Sequence, residues 1–301
     1  MGEPGGQHGQ FRKRLDAFTS EAQGIYEGKV EALHHARVAS RRLREVLPVV
    51  GLEGDTTRKL TRRLKKVTRQ LGVVRELDVL MLMIQELRPN ARYSSTALER
   101  VGAGVEEARV TERNRLTAKL PFVKLQRLAR RLERASEQQV RDDREKQEGA
   151  REAWVWALEA RATRRARRVR SAIEVAGAVY VPERLHDVRI ALKKLRYVME
   201  LLAEPERAAC GIAVLKTAQD LLGRLHDLEM LIERARHEQP LPSPPALTVG
   251  HDLGSLVDAL EEDCRALHAR YMRQRVKLLA IADQVGDIET DDPLVNRRAA
   301  S

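Results

Sequence analysis

Aromatic side chains are scarce in this sequence: three Phe, two Trp and five Tyr among 301 residues. Hydrophobic residues still reach 43%, enough for a globular interior, so that interior must be aliphatic. The same scarcity leaves few rings on which nucleic-acid bases could stack. Cysteine is rarer still. Cys210 and Cys264 stand in no metal-binding or redox spacing, which excludes a disulfide scaffold and points to a reducing, cytoplasmic setting. No run of about 18 apolar residues could span a bilayer, and residues 1–10 have no apolar signal-peptide core. We therefore expect no membrane partner and read the opening residues as a flexible start. Runs of β-branched residues are few while helix formers abound, which argues for an all-α protein. Acids are in the minority, 44 Asp and Glu against 55 Lys and Arg. The net charge of +11 calls for an anionic partner such as nucleic acid, anionic lipid or a phosphate polymer.

What is present centres on His34 to Arg44, H-H-A-R-V-A-S-R-R-L-R. On an α-helix at about 100° per residue, His34, Arg37, Arg41 and Arg44 share a stripe about 80° wide. Leu33, Ala36, Ala39, Leu43, Val46 and Leu47 gather on the opposite side. At an offset of 152 the pattern returns: His186, Arg189, Lys193, Lys194, Leu195 and Arg196 meet His34, Arg37, Arg41, Arg42, Leu43 and Arg44. A second match, at an offset of 151, pairs Leu71-Gly72-Val73-Val74-Arg75-Glu76-Leu77-Asp78 with Leu222-Gly223-Arg224-Leu225-His226-Asp227-Leu228-Glu229. A glycine inside a helix costs about 1 kcal/mol relative to Ala. Its repetition points to a close helix crossing. The repeats divide the chain into a first helical unit at 8–140, a second at 150–285 and a disordered tail at 286–301.

In chain order the pattern predicts helices over 11–29, through the His34 stretch to Pro48 and Gly51, and from an N-cap at Asp55 or Thr56 to about Arg88. Further helices are expected over 94–120, 122–134, 151–175, from Pro182 to about residue 203, over 206–237, and from Asp252 or Ser255 to Val285. The segment 138–149 reads as the seam between units and 240–245 (PLPSPP) as an extended loop. Arg58, Arg62, Lys65 and Arg69 form another stripe, opposite Leu60, Leu64, Val67, Leu71 and Val74. Residues 31–75 hold twelve Lys and Arg against four acids. Exposed helices normally interleave the two signs to gain i,i+4 pairs. This stretch forgoes them, which suggests that its charge serves a ligand. Arg161, Arg164, Arg165 and Arg168 line up similarly. Trp154 and Trp156, two apart, cannot face one core, so one belongs to a contact between units or chains.

Two helical repeats, each led by His-x-x-Arg-x-x-x-basic-basic-Leu-Arg and followed by Leu-Gly-x-x-x-acid-Leu-acid, resemble the CHAD domain over about residues 8–285. The resemblance implies two four-helix-bundle-like halves related by a pseudo-two-fold, a basic pore or cleft between them, and binding of inorganic polyphosphate without catalysis. Its ligand-facing positions would be His34, Arg37, Arg41, Arg42 and Arg44, then His186, Arg189, Lys193, Lys194 and Arg196, with Lys65 and Lys216 on the following helices. From the stripes we add Arg58, Arg62 and Arg69. Ala209, Ala213 and Asp220 replace these three in the second unit, so Arg164, Arg165 and Arg168 join the candidates there. Glu45 lies on the first basic stripe and is expected to neutralise one end of it. The Glu-x-Glu-x-Lys strand motif of CYTH domains, which accompany some CHAD domains and hydrolyse triphosphate, does not occur.

No Ser-His-acid spacing, phosphate-cradling glycine loop or paired acids emerge, so neither catalysis nor a cofactor is expected. Guanidinium neighbours make His34 and His186 poor metal ligands. Their protonation is expected to raise anion affinity below neutral pH. Other polyanions, nucleic acid included, are the rival partners, although no helix-turn-helix or zinc-finger pattern occurs. A further alternative is an adaptor that anchors proteins to polyphosphate granules.

Overall fold

The computed structural model describes residues 7–145, 150–202, 209–238 and 247–286, and among them the chain is helical without a strand. The helices are α1 (Gln7–Thr19), α2 (Ala22–Tyr26), α3 (Val30–Val46), α4 (Gly54–Leu87), α5 (Ser95–Lys119), α6 (Phe122–Glu145), α7 (Ala150–Ala176), α8 (Pro182–Leu202), α9 (Ala209–His237) and α10 (Leu247–Gly286). A single 3₁₀ turn, Leu47–Val49, ends α3 where Pro48 was expected to stop it.

Several boundaries differ from expectation for local reasons. The helix expected over 11–29 is broken into α1 and α2, and Gly28, at φ +78°, turns the chain toward α3. Only glycine adopts that φ without strain, and the Gly28 carbonyl accepts a 2.6 Å bond from Arg113 Nη1 of α5. Asp55 and Thr56 are not the cap of α4. That place falls to Glu53, whose side chain makes no cap bond, and Asp55 instead puts its charge in the first turn. Ser94 does cap α5, accepting from the Ala97 N–H. α6 runs past Arg134 to Glu145, so the first part of the supposed seam is helix. The loop at 240–245, the end of the second basic helix at 203–205 and the tail after Gly286 lie outside the described residues.

Two apolar clusters hold the helices. The larger joins α1–α4, the end of α5, α6–α8, the first part of α9 and the end of α10; the smaller joins the later halves of α4 and α9 to α5 and α10. α4 spans 34 residues, about 51 Å at 1.5 Å per residue, and passes from one cluster to the other. Leu60, Leu64, Val67, Leu71 and Val74 enter the first, then Leu77, Leu80, Met83, Ile84 and Leu87 the second. The predicted apolar face of α3 is buried throughout, from Leu33 to Leu47. A buried hydroxyl pair, Ser40 Oγ with Thr68 Oγ1 at 2.9 Å, locks α3 to α4. Trp154 packs against the larger cluster while Trp156 is 68% exposed.

Candidate functional site

The α3–α4 pair meets the α8–α9 pair around a cavity of about 570 Å3. α3 contributes His34, Arg37 and Arg41, and α8 contributes Arg189, Lys193, Arg196 and Tyr197. α4 adds Arg75 and Glu76; α9 adds Lys216, Asp220, Arg224, His226 and Asp227. The two basic stripes thus face a common space, and the apolar side of each helix, buried in the larger cluster, is what aims them there. Val79, Leu80 and Met230 line it where α4 and α9 head for the smaller cluster.

The repeated motifs do the same work in both helix pairs. A Cβ at Gly72 would lie 3.4 Å from Arg37 Nε, and one at Gly223 would lie 3.7 Å from Arg189 Nε. The glycines do not serve a close helix crossing as expected. Each leaves a berth on one helix for the guanidinium of the His-x-x-Arg arginine from the helix before it. Four residues further along the same face stands the acid that balances this arginine. Glu76 lies 3.7 Å from Arg37, and Asp227 acts on Arg189. The second acid of the motif turns into the body of the protein. Asp78, 1% exposed, takes Arg109 at 3.4 Å and Arg113 at 3.2 Å from α5, while Glu229 accepts the Tyr180 hydroxyl.

Cations outnumber acids around the cavity, and burial sharpens the imbalance. Desolvation, then Arg41, lower the Arg37 guanidinium to about 10, which leaves it charged at neutral pH. Arg189 is lowered chiefly by burial. Lys193 is the extreme case. Buried to 8% exposure and repelled by Arg41, Arg189, Arg37 and Arg196, its ammonium falls from 10.5 to about 6. The imidazoles move the same way. His34 is lowered by burial and by Arg75, His186 by burial and Arg189, and His226 by burial and Arg189 to about 4. They are therefore neutral near pH 7, and their charging falls further into the acid range than the sequence implied. Among the described residues Nε of Arg37, Arg189 and Arg196 is buried without an acceptor and Nδ1 of His186 without a partner, as is Nε of Arg42, Arg44, Arg113, Arg165 and Arg275 away from the cavity wall.

Of the sequence candidates, His34, Arg37, Arg41, Arg189, Lys193, Arg196 and Lys216 line the cavity. His186 stands behind it, its ring 4.5 Å from that of His226. Arg42 turns to Glu200 of α8 at 3.2 Å, which also takes Arg196 at 3.4 Å, and both guanidinium groups lie over the Tyr197 ring. Glu45 acts on Arg44 at the end of the stripe, as expected, but not on the residues at the cavity. It is 7% exposed and binds Arg161 at 2.8 Å and Arg165 at 3.0 Å, tying α3 to α7. Arg44, Lys194 and Arg168 gather near this pair, away from the cavity wall. Arg164 is exposed on α7, as are Arg58, Arg62, Lys65 and Arg69 on α4. Arg69 instead borders a separate open groove with Lys66, Arg115, Lys119 and Lys124. Arg75 and His226 were not among the candidates. They occupy equivalent places in the repeated motif, three residues past Gly72 and Gly223, and that register was the signal for them.

Among the described residues no cluster of three or more His, Cys, Asp or Glu side chains could hold a metal ion. No helix among them is long and apolar enough to cross a membrane.

Comparison with solved structures places the fold beside the CHAD domain from the plant Ricinus communis, at 20% identity and a TM-score of 0.56. That match covers 88% of this chain and 90% of the other. PptA from Streptomyces chartreusis is similar over 93% of this chain and 97% of its own, at 18% identity and a TM-score of 0.48. Curated protein sequences give no match. The CHAD domain family matches residues 9–236, taking in both basic helices and both glycine motifs that build the cavity, and this chain belongs to that family.

Proposed function

We propose that the cavity binds inorganic polyphosphate and that the protein does so without catalysis. The observation that carries this reading is the convergence of α3 and α8 cations on one cavity. Polyphosphate carries about one negative charge per phosphate and offers little else to recognise, so it calls for Arg and Lys on rigid elements. Adjacent like charges destabilise the empty protein by about 0.2–0.5 kcal/mol per pair on a helix. A charge-assisted hydrogen bond to phosphate returns about 1.5–3 kcal/mol. The bound state is favoured, and ligand should raise thermal stability. The equivalent contacts around Gly72 and Gly223 support two repeats, 8–140 and 150–285, that each supply one wall.

The 570 Å3 volume is of small-ligand size and admits a single extended chain better than a duplex. Nucleic acid would have to use the exposed stripe of Arg58, Arg62, Lys65 and Arg69 instead. The test is calorimetric titration against polyphosphates of graded length, with DNA and RNA as competitors, at two salt concentrations. Polyphosphate should bind, resist displacement by nucleic acid, and weaken steeply with salt. No phosphate should be released from polyphosphate or triphosphate with magnesium. Preference for nucleic acid, or sustained turnover, overturns the reading. Co-purification of partner proteins with a polyphosphate-loaded chain would instead mark an adaptor.

A further inference from the structure

Lys193 stands apart from the other cations of the cavity. Among the described residues it is the one buried lysine, on α8, with Arg189 and Arg196 one turn to either side. Arg37 and Arg41 of α3 act on it from across the cavity. Across the same cavity α9 presents Lys216, Asp220, Arg224, His226 and Asp227, α4 presents Arg75 and Glu76, and α3 adds His34, while His186 of its own helix also acts on it. Glu76 is drawn to Arg37 at 3.7 Å, and Asp227 lies in the field of Arg189, Arg75 and Arg224 before that of Lys193 itself. No carboxylate among the described residues lies within salt-bridge distance of Lys193. Exposed Lys59, by contrast, is held as an ammonium by Asp55.

An amine in this position has two properties that seldom coincide. Burial and four guanidinium neighbours favour its uncharged form, with half-protonation at about pH 6. The same neighbours concentrate anions next to it. A neutral amine is a nucleophile where an ammonium is not.

We propose that Lys193 is a modification site, acylated by small acyl phosphates that the surrounding guanidinium groups draw into the cavity. The amine nitrogen attacks the acyl carbon and a C–N bond forms. The bond from that carbon to the phosphate oxygen breaks, and inorganic phosphate leaves with the electron pair. The proton lost from nitrogen passes to the departing phosphate. Arg41 and Arg189 would hold the phosphate through attack and departure. The product amide has no titratable charge, so a cation is removed from the centre of the cavity. The proposal shares with the polyphosphate reading only the cavity's attraction for phosphate anions.

The full chain is treated with acetyl phosphate at pH 7.5 and, in parallel, with acetic anhydride, and each acetylated lysine is quantified by peptide mass spectrometry. Lys193 should react with acetyl phosphate at least tenfold faster than exposed Lys65 or Lys66. Acetic anhydride, which carries no charge to be steered, should show a smaller preference. Arg41→Gln should slow the acetyl phosphate reaction at Lys193 several-fold while leaving Lys65 unchanged. Equal reactivity of Lys193 and Lys65, or an equal preference with both reagents, overturns the proposal. Saturating polyphosphate should protect Lys193. Selective acetylation of Lys193 without that protection sustains the modification site and counts against polyphosphate as the ligand of this cavity.

Discussion

Raising pH should weaken polyphosphate binding through Lys193, and the size of the effect follows from where that amine sits. In the empty cavity its protonation midpoint is about 6, against 10.5 for an ordinary lysine. A polyanion laid beside it offsets the repulsion of Arg41, Arg189, Arg37 and Arg196 and draws the proton back. Between the two midpoints, each bound chain takes up close to one proton. Affinity then falls by up to tenfold per pH unit, 1.36 kcal/mol each, or about a hundredfold from pH 6.5 to 8.5. The same polyanion draws protons onto His34, His186 and His226, which burial and neighbouring cations hold below their ordinary range, so their share of the uptake falls at the acid end of the window and Lys193 carries it at pH 8. Titration calorimetry in two buffers of different ionisation enthalpy measures the proton uptake directly. Long chains keep the titrating end phosphates a small share of the ligand. Lys193→Met should bind more weakly at pH 6.5 and lose the slope. Tight binding with no proton uptake at pH 8, or an unchanged slope in Lys193→Met, would refute the reasoning. The sign for stability is the reverse. The folded empty protein holds this amine neutral while the unfolded chain protonates it, so stability should rise with pH between about 6 and 10.5.

Arg37→Glu with Arg41→Glu, or Arg189→Glu with Lys193→Glu, should weaken polyphosphate binding by about a hundredfold or more, two lost contacts at about 1.5–3 kcal/mol each, with helical circular dichroism retained. Gly72→Ala should gain about 1 kcal/mol of helix propensity and change affinity little, since its Cβ meets Arg37 at ordinary contact distance. Gly72→Leu or Gly223→Leu should displace the guanidinium and lower affinity, read by the same titration. Glu45→Ala should strand Arg161 and Arg165 and lower stability by about 3–5 kcal/mol, seen as a large drop in melting temperature.

The helices and their inner faces were legible in the sequence because helical periodicity is local. Leu33 to Leu47 on α3 and Leu60 to Val74 on α4 are buried as their spacing implies. Boundaries were read well where a side chain caps or a proline stops the helix, as at Ser94 and Pro48. They were missed where tertiary contacts decide, as at Gly28, whose carbonyl is held by Arg113 from 85 residues away. The repeat of His-x-x-Arg and of the glycine motif also stood in the sequence, since register survives when other positions diverge.

Which basic stripes converge was another matter. Four such stripes could be drawn on helical wheels, and only those of α3 and α8 line the cavity in force. Periodicity assigns a residue to a face of its helix but not the helix to its neighbours. Thus Glu45, 120 residues from Arg165, and Glu200, far along the chain from Arg42, removed those two arginines from the candidate wall. Lys193 and Lys194 are adjacent and look alike in the sequence, yet only the first lines the cavity. Desolvation and repulsion are sums over everything packed around a group. Sequence alone specified a charged, repeated helical protein of this family; the packing of α3 against α8 decided where its charge is concentrated and which amine gives up its proton.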